Sequence, residues 1–302
     1  SLAVYSVSFS SDGKILASGS MDSTVKLWEV SSGKFIDILK GHISSVTLVS
    51  FSSDGKTLAS GSDDNMVKLW EVLSGKLICT LKGHSSSITS VSFSSDGKTL
   101  ATGSWDNTVK LWEVSSGKLI HTFKAHLYDV CSMSFSSDGK TLASGSRDNT
   151  IKLWEVSSGK LIRTLKGHSS SITSVSFSSD GKTLASGSKD CSIRYWRLSD
   201  GRLLASSYAF DKKEFITTTV SGYYVSSRFG EKYGSWRIGN KIYGIEQYAN
   251  QFNRPEDVKK IEKDLFPRTV RQKYHPGNHR EGRLLSRTPQ LSIERKCSTS
   301  GF

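Results

Sequence analysis

The chain lacks the features that mark several classes of protein. Only 4 of its 302 residues are proline, against 26 glycines, a ratio that suits many tight turns more than a flexible linker. No apolar run approaches the ~18 residues of a membrane-spanning helix, so we expect no membrane span. Cysteines number only 4, without metal-ligand spacing, and we expect buried free thiols, a cytoplasmic location, no metal and no cofactor.

What the sequence does contain is a repeat. Tryptophans recur at a constant interval of 70 − 28 = 42 residues, at Trp28, Trp70, Trp112, Trp154 and Trp196. Aspartates and histidines follow the same interval, at Asp22, Asp64, Asp106, Asp148 and Asp190 and at His42, His84, His126 and His168. A fixed period of this length is typical of repeat architectures.

Each period holds four short apolar runs separated by turn residues. In the third period these runs are ITSVSF (88 to 93), KTLATGS (98 to 104), TVKLWEV (108 to 114) and KLIHTFK (118 to 124). They are rich in Val, Ile, Thr and Phe, and the intervening SSDGK, WDN and SSG segments supply the Gly, Asp and Asn of tight hairpins. The pattern predicts four antiparallel strands per unit, stacked as blades around an axis.

Three motifs recur at this spacing: a Gly-His pair, a strand-ending LASGS.D and a closing KLWE. Through them the chain resembles the WD-repeat (WD40-type) β-propeller family. The resemblance implies an all-β propeller with five four-stranded blades, at about 1–42, 43–84, 85–126, 127–168 and 169–206. The family's Trp-Asp pair is Trp-Glu in four copies here and Trp196-Arg197 in the fifth.

The two ends of the repeat array raise further expectations. Counting 22 residues back from Asp22, as from Asp64 to His42, places the first histidine immediately before Ser1. Five blades are also fewer than the seven usual in the resembled family, so we expect a fragment of a larger ring.

After the repeats, residues 207–266 are expected to form a degenerate sixth unit, with strands in 214–227 and 235–245 and then a short helix beginning near Pro255. Residues 214–266 also resemble a segment that follows the propeller in some bacterial WD-repeat proteins.

The last 36 residues have a different composition. Residues 267–302 contain eight Lys or Arg and two Glu. A basic stretch without interleaved aromatic residues is usually a solvated, disordered tail, so nucleic-acid binding is the weaker interpretation.

The periodic polar residues form sets of four. In the third unit an imidazole, a hydroxyl, a carboxylate and an indole N–H recur as His84, Thr102, Asp106 and Trp112. The resemblance suggests that each set is structural, with a hydrogen-bond chain from Trp to hydroxyl to His to Asp. The other sets are His42, Ser60, Asp64, Trp70; His126, Ser144, Asp148, Trp154; and His168, Ser186, Asp190, Trp196.

Two catalytic interpretations of these residues are disfavoured. A Ser-His-Asp hydrolase needs an exposed nucleophile, whereas these hydroxyls lie inside predicted strands and no G-x-S-x-G motif occurs. The recurring DGKT imitates the end of a phosphate-binding loop, but the glycine required five positions earlier is serine each time. We therefore expect a turn there and no enzymatic activity from this chain.

Function must then come from surfaces. The first hypothesis is a non-enzymatic scaffold that binds a protein or peptide on the propeller's top face. An alternative is a regulatory or sensor propeller from a larger enzyme, such as one with a caspase-like peptidase domain, whose catalytic part lies outside this chain. The third is nucleic-acid binding through the basic tail.

A candidate partner site emerges where the repeats differ. The residue before each tetrad aspartate changes along the chain, from Met21 to Asp63, Trp105, Arg147 and Lys189. By resemblance to the family, this position faces the top of the disc, as does Tyr128 at the start of the fourth unit. We expect Trp105, Arg147 and Tyr128 to anchor a partner, with Asp63 and Lys189 setting its charge preference. The alternative is that these are solvated turn residues free to vary.

Overall fold

The computed structural model describes residues 2–210, 214–220, 223–227, 234–238, 241–244, 253–256, 258 and 290–293. The chain folds into two compact units, Ser1–Gly181 and Lys182–Phe302.

The first unit contains four four-stranded antiparallel sheets, each made of strands consecutive in the chain. The first two sheets are β1 (Val4–Phe9), β2 (Ile15–Ser20), β3 (Thr24–Glu29), β4 (Phe35–Lys40), and β5 (Val46–Phe51), β6 (Thr57–Ser62), β7 (Val67–Glu71), β8 (Leu77–Leu81). The next two are β9 (Ile88–Phe93), β10 (Thr99–Ser104), β11 (Val109–Glu113), β12 (Leu119–Phe123), and β13 (Val130–Phe135), β14 (Thr141–Ser146), β15 (Thr150–Glu155), β16 (Leu161–Lys166). β17 (Ile172–Phe177) follows. The predicted all-β architecture of repeated four-stranded antiparallel blades is confirmed.

Local turn chemistry explains why the strands begin and end where they do. Between β5 and β6, Asp54 Oδ1 accepts hydrogen bonds from Ser52 Oγ at 2.6 Å and from the Lys56 N–H at 3.0 Å. Gly55 between them has φ of 70°, which is the left-handed region that glycine adopts without strain. The DGKT motif is therefore a hairpin turn, as expected from its lack of the first phosphate-loop glycine.

The turn between the third and fourth strands of each blade explains the Trp-Glu departure. Glu71 accepts a hydrogen bond from Ser74 Oγ across this turn, and three other repeats make the same contact: Glu29 with Ser32, Glu113 with Ser116, and Glu155 with Ser158. In the fifth repeat both partners change together. Arg197 Nη1 there lies 3.3 Å from Asp200 Oδ2, so an ion pair closes the same turn.

The core of the first unit lies between consecutive sheets. Apolar residues of β2 and β3 pack against the first strand of the next sheet, as Ala17 and Leu27 do with Val46 and Phe51. The contact is close at one glycine in each second strand. A Cβ added at Gly61 would lie 2.7 Å from Ile88 Cγ2. The equivalent pairs are Gly19 with Val46, Gly103 with Val130, and Gly145 with Ile172.

Polar side chains on the first strands also join neighbouring sheets. Thr47 Oγ1 donates to the Ile88 carbonyl at 2.9 Å, and Thr89 Oγ1 donates to the Val130 carbonyl. Each of these hydroxyls thus supplies a hydrogen bond from one sheet to a backbone carbonyl of the next. The small polar residues at the starts of these strands therefore have a structural role.

The second unit has strands within 214–227 and 235–245, where the sequence predicted them after the repeats, and the order of its strands shows how they are arranged. Its strands β18 (Thr183–Ser188), β19 (Ser192–Arg197), β20 (Leu203–Ala209), β21 (Phe215–Thr219) and β22 (Tyr224–Ser226) are successive antiparallel neighbours. The Phe210 N–H donates to the Glu214 carbonyl at 2.8 Å, and β21 pairs antiparallel with β20. Among the described residues, β21 and β22 thus extend the sheet of the fifth repeat and form no separate four-stranded blade.

The rest of this unit is described only in part. β23 (Gly234–Ile238) pairs with β24 (Lys241–Gly244) and with β25 (Gln290–Ile293), so the disorder expected for residues 267–302 does not hold at 290–293. Pro255, Glu256 and Val258 are helical, at the predicted helix start, and the rest of that expected helix lies outside the described residues. The described part of the chain holds no helix long and apolar enough to cross a membrane.

The cysteines follow the expectation in part. Cys79 and Cys131 are not disulfide-bonded, and each is half-buried. Cys191 is disulfide-bonded, so the expectation of a free thiol is wrong at that residue.

We predict that the glycine contact between sheets limits what each second strand can carry. Gly61→Ala should lower the free energy of unfolding by about 1–3 kcal/mol because the new methyl overlaps Ile88. The cost should shrink in an Ile88→Ala background, which removes the overlapping atom. Chemical denaturation of the two single variants and the double variant gives this coupling.

Gly33→Ala is the matched control. Gly33 has φ of +67° and no neighbouring atom within 4 Å of an added Cβ, so its substitution should cost about 1–2 kcal/mol from backbone strain alone. Ile88→Ala should leave that cost unchanged. Strict additivity of Gly61→Ala and Ile88→Ala would contradict the packing explanation.

Candidate functional site

The third repeat brings its four polar residues into one hydrogen-bonded chain. His84 precedes β9, Thr102 lies in β10, Asp106 lies in the turn after β10, and Trp112 lies in β11. Trp112 Nε1 donates to Thr102 Oγ1 at 2.8 Å, and the same oxygen lies 2.8 Å from His84 Nε2. His84 Nδ1 lies 2.8 Å from Asp106 Oδ2. The chain therefore ties the loop before the first strand to the turn between the second and third.

The second and fourth repeats show the same geometry. Trp70 to Ser60, Ser60 to His42 and His42 to Asp64 are joined at 2.8, 2.8 and 2.7 Å. The corresponding distances for Trp154, Ser144, His126 and Asp148 are 2.9, 2.8 and 2.8 Å. The aspartates also accept backbone N–H groups, as Asp64 does from Ile43 at 3.1 Å and from Met66 at 3.0 Å.

Donors and acceptors match along the chain of four side chains. An indole N–H can only donate and a carboxylate can only accept. The imidazole therefore carries its proton on Nδ1, facing the aspartate, and a neutral ring leaves Nε2 to accept the hydroxyl proton. Every polar atom in the series is then satisfied, which a buried network requires.

Burial and hydrogen bonding set the charge states. Burial lowers the pKa of His42 below its ordinary 6.5, and Lys68 nearby lowers it further, against the opposing effect of Asp64. Burial raises the pKa of the Asp64 carboxyl, but the hydrogen bonds from His42 and from the backbone outweigh this and bring it below 3.8. The pKa values of Asp106 and Asp148 are lowered in the same way. The aspartates are thus ionised and His42 is neutral near pH 7.

The buried hydroxyls are unsuited to nucleophilic catalysis. Ser60, Thr102 and Ser144 are fully buried, and each already binds both an indole and an imidazole. A substrate cannot reach these oxygens without unfolding the strand that carries them. What the arrangement can do chemically is to hold the turn that follows each second strand.

The first and fifth repeats show contacts of the same kind. In the first repeat, Trp28 Nε1 donates to Ser18 Oγ at 2.9 Å, and Lys26 Nζ lies 2.9 Å from Asp22 Oδ2. The hydrogen bond from Thr24, with Lys26, lowers the pKa of Asp22 to about 2. In the fifth repeat, Trp196 Nε1 donates to Ser186 Oγ at 2.8 Å and Asp190 is buried, both in the second unit, whereas His168 is buried in the first.

The tetrads position a second, exposed set of residues. The residue before each tetrad aspartate donates its N–H to the residue that precedes the first strand of the same blade: Asp63 to Ser45 at 3.0 Å, Trp105 to Ser87 at 3.1 Å, and Arg147 to Asp129 at 3.0 Å. These residues therefore share one end of the blades, which we call the tetrad end. Trp105 is 51% exposed and Tyr128 is 61% exposed.

The third and fourth blades meet at this end. Asn107 Nδ2 donates to the Leu127 carbonyl at 3.4 Å, and the His126 N–H donates to the Asn107 carbonyl at 3.3 Å. The turn that carries Trp105 therefore lies against the loop that carries Leu127 and Tyr128. Sequence reasoning missed Leu127, which is 82% exposed. The signal was available, since the residue after the repeated histidine is serine in two other units.

Arg147 is less available than the sequence suggested. Its Nη1 lies 3.1 Å from Asp129 Oδ2, in the same blade as Tyr128. The structure thus places Trp105, Leu127, Tyr128, Asp129 and Arg147 on two adjacent blades, and we call these five residues the aromatic cluster. Asp63 is exposed on the second blade, and Lys189 is exposed in the second unit.

The described residues contain no group of His, Cys, Asp or Glu that could hold a metal ion.

Comparison with known families yields two matches. Residues 56–231, more than half of the chain, match the model described as the echinoderm microtubule-associated protein second beta-propeller. Residues 1–29 and 33–71 match the model described as the WD domain, G-beta repeat.

We predict that the tetrads stabilise the fold. Asp106→Ala leaves His84 without its buried partner and should cost about 1–3 kcal/mol of unfolding free energy. Trp112→Ala should cost about 3–5 kcal/mol because it also leaves a cavity. Asp63→Ala, beside a tetrad but exposed, should stay within about 0.5 kcal/mol of the parent. Thermal melts of Asp106→Ala and Trp112→Ala that match the parent would rule out a structural role.

The charge states also predict a two-stage acid response. The unfolded chain protonates His42 near pH 6.5 but the folded chain does so only at lower pH, so stability should fall as the pH drops below about 6.5. The tetrad aspartates have lowered folded pKa values, so their contribution is present above pH ~3.9 and should be lost as the pH falls further. Melting temperatures from pH 8 to pH 3 measure both stages.

His42→Gln separates the two stages. This variant should lose much of the decline between pH 7 and pH 5 while keeping the decline below about pH 4. A melting profile for His42→Gln that runs parallel to the parent across the whole range would contradict the assignment of the first stage.

Proposed function

The chain belongs to the WD40-repeat β-propeller family, and from this premise we propose that it is a non-catalytic scaffold that binds a protein partner at the tetrad end of its third and fourth blades. WD40 propellers serve in general as platforms for protein interaction. The finer assignment of the site rests on one observation, the exposure of Trp105 and Tyr128 on adjacent blades beside the Arg147–Asp129 ion pair.

The composition of the aromatic cluster supports this assignment. Trp, Tyr and Arg are the residues most often found at binding hot spots, because each buries a large area while keeping a polar group for a directed contact. The neighbouring Leu127 adds apolar surface. A partner that inserts an apolar side chain between Trp105 and Leu127 would bury both of them without displacing the tetrad below.

The ion pair adds a polar component to the site. Asp129 is mostly buried and Arg147 is about half exposed, so the guanidinium retains free donors toward solvent. Because Asp129 already orients Arg147, a carboxylate or backbone carbonyl of the partner can bind it with little loss of side-chain freedom. We propose that Asp63, exposed on the next blade, disfavours partners that are acidic on that side.

We predict that the triple substitution of Trp105, Tyr128 and Arg147 to Ala abolishes binding. All three side chains are exposed, so the melting temperature should change only by the amount typical of surface substitutions. Partners captured by the parent should first be identified and purified. Isothermal titration of each with the parent and the triple variant then gives the loss of affinity.

Val30→Ala with Leu73→Ala is the matched control. Both side chains are exposed and apolar, and both lie in turns between third and fourth strands, at the opposite end of the blades. Binding should survive in this control. Undiminished affinity in the triple variant, or equal loss in the control, would contradict the proposed site.

A further inference from the structure

The fourth strand of each blade in the first unit has an unpaired edge. β4, β8, β12 and β16 each stand last in the order of their sheets, and no described strand hydrogen-bonds to their outer side. An edge of this kind presents a row of free backbone N–H and C=O groups, and pairing with another strand satisfies them.

The same four strands expose apolar side chains at their beginning. A pair of large apolar residues opens each strand, with exposures between 40% at Leu119 and 52% at Phe35. The pairs are Phe35-Ile36, Leu77-Ile78, Leu119-Ile120 and Leu161-Ile162. Four repeats of an exposed apolar pair on a free edge form a surface, which we call the edge-strand surface.

Exposed lysines flank every one of these strands. Each strand is preceded by one lysine and ends with or is followed by another: Lys34 and Lys40, Lys76 and Lys82, Lys118 and Lys124, Lys160 and Lys166. No salt bridge to these lysines is present among the described residues of the first unit. The edge-strand surface thus combines free backbone groups, apolar side chains and positive charge at both ends.

The second unit shows what covers such an edge. β20 is the fourth strand of the fifth repeat, and β21 pairs with it antiparallel, from Ala205 opposite Thr219 to Ala209 opposite Phe215. Leu203 and Leu204, which correspond to Leu161 and Ile162, are only partly exposed. The strand that binds there follows an acidic residue, Glu214, and opens with Phe215 and Ile216, which lie opposite Ala209 and Tyr208, at the other end of β20 from Leu203 and Leu204.

From these observations we propose that the edge-strand surface binds an extended segment of a partner protein, which pairs antiparallel with one of the fourth strands and carries an acidic residue at each end. This interaction goes beyond the site proposed at the tetrad end and does not depend on it. Backbone pairing supplies affinity, the apolar pair at the beginning of the edge strand selects a β-branched or aromatic residue at the end of the antiparallel segment, and the lysines select the acidic ends.

Charge argues against a second copy of this chain as the occupant. If β8 paired antiparallel with β8 of another copy, Lys76 of one strand would lie beside Lys82 of the other. Like charges placed opposite one another on adjacent strands are destabilising. The lysines that disfavour this self-pairing attract a strand of opposite charge.

The pairing of β21 with β20 also shows which backbone N–H groups of a bound strand would face the edge strand. Thr219 donates its N–H to Tyr223 at 2.8 Å, away from β20. Because successive N–H groups alternate in direction along an antiparallel strand, Phe215 and Thr217 share the direction of Thr219, and Ile216 and Thr218 point their N–H groups at β20. Binding of a strand to the edge-strand surface should therefore depend on the N–H groups of the equivalents of Ile216 and Thr218, and not on those of the equivalents of Phe215 and Thr217.

The test uses the full chain and a labelled peptide, EFITTTVSE, which is the sequence 214–221 followed by one glutamate. Fluorescence anisotropy should show binding that weakens with salt. N-methylation of the Ile and the second Thr should weaken binding at least about tenfold, because it removes two hydrogen bonds. N-methylation of the Phe and the first Thr, which adds the same methyl groups, should leave the affinity within about twofold of the unmodified peptide.

A charge-reversed variant tests the direction of the bound strand. Replacing Lys40, Lys82, Lys124 and Lys166 with Glu places acids at the end of each edge strand, where an antiparallel peptide has its first residue. This variant should prefer KFITTTVSE over EFITTTVSE, with a melting temperature close to that of the parent. No binding of EFITTTVSE to the parent at ~1 mM, equal effects of the two N-methylation patterns, or a preference of the variant for EFITTTVSK overturns the proposal.

Discussion

The packing of the first unit depends on one close contact between blades. A β-branched side chain from the first strand of one blade packs against a glycine in the second strand of the preceding blade. Val46, Ile88, Val130 and Ile172 make this contact in turn, and an added Cβ at any of the four glycines would approach to within 3 Å of it. The sheets pack at this distance because the glycines lack side chains. The tetrads, the turns and both exposed surfaces are placed by that spacing.

The tetrads hold the turns and loops at one end of the blades in fixed positions. Each fastens the turn after its second strand to the loop before its first, so the exposed residues at this end are presented on fixed backbone. Trp105 is held in this way because it directly precedes Asp106, whose carboxylate is hydrogen-bonded to His84. Tyr128 is held because it lies two residues after His126, whose imidazole is hydrogen-bonded to Asp148. A rigid support lowers the entropy lost when a partner binds, which is why exposed residues beside buried networks are suited to recognition.

Much of the fold follows from local signals in the sequence. Hairpins such as Ser52–Asp54–Gly55 are closed by adjacent residues, so strand number and position could be predicted, and the fixed spacing of His, hydroxyl, Asp and Trp indicated which side chains would meet. Long-range choices could not be predicted in this way. Nothing local determines that β21 joins the edge of β20, and the engagement of Arg147 by Asp129 depends on two loops brought together by the sheet.

The uniformity of the glycine contact has a consequence for how the gene can change. Because every junction between blades in the first unit presents the same pair of surfaces, the blades are chemically interchangeable. Loss or gain of one whole 42-residue period, by recombination between stretches that encode near-identical repeats, joins surfaces that already fit. An array of this kind can alter its number of blades in a single event, and each new blade brings a further copy of the exposed turn and the exposed edge on which new binding properties can evolve.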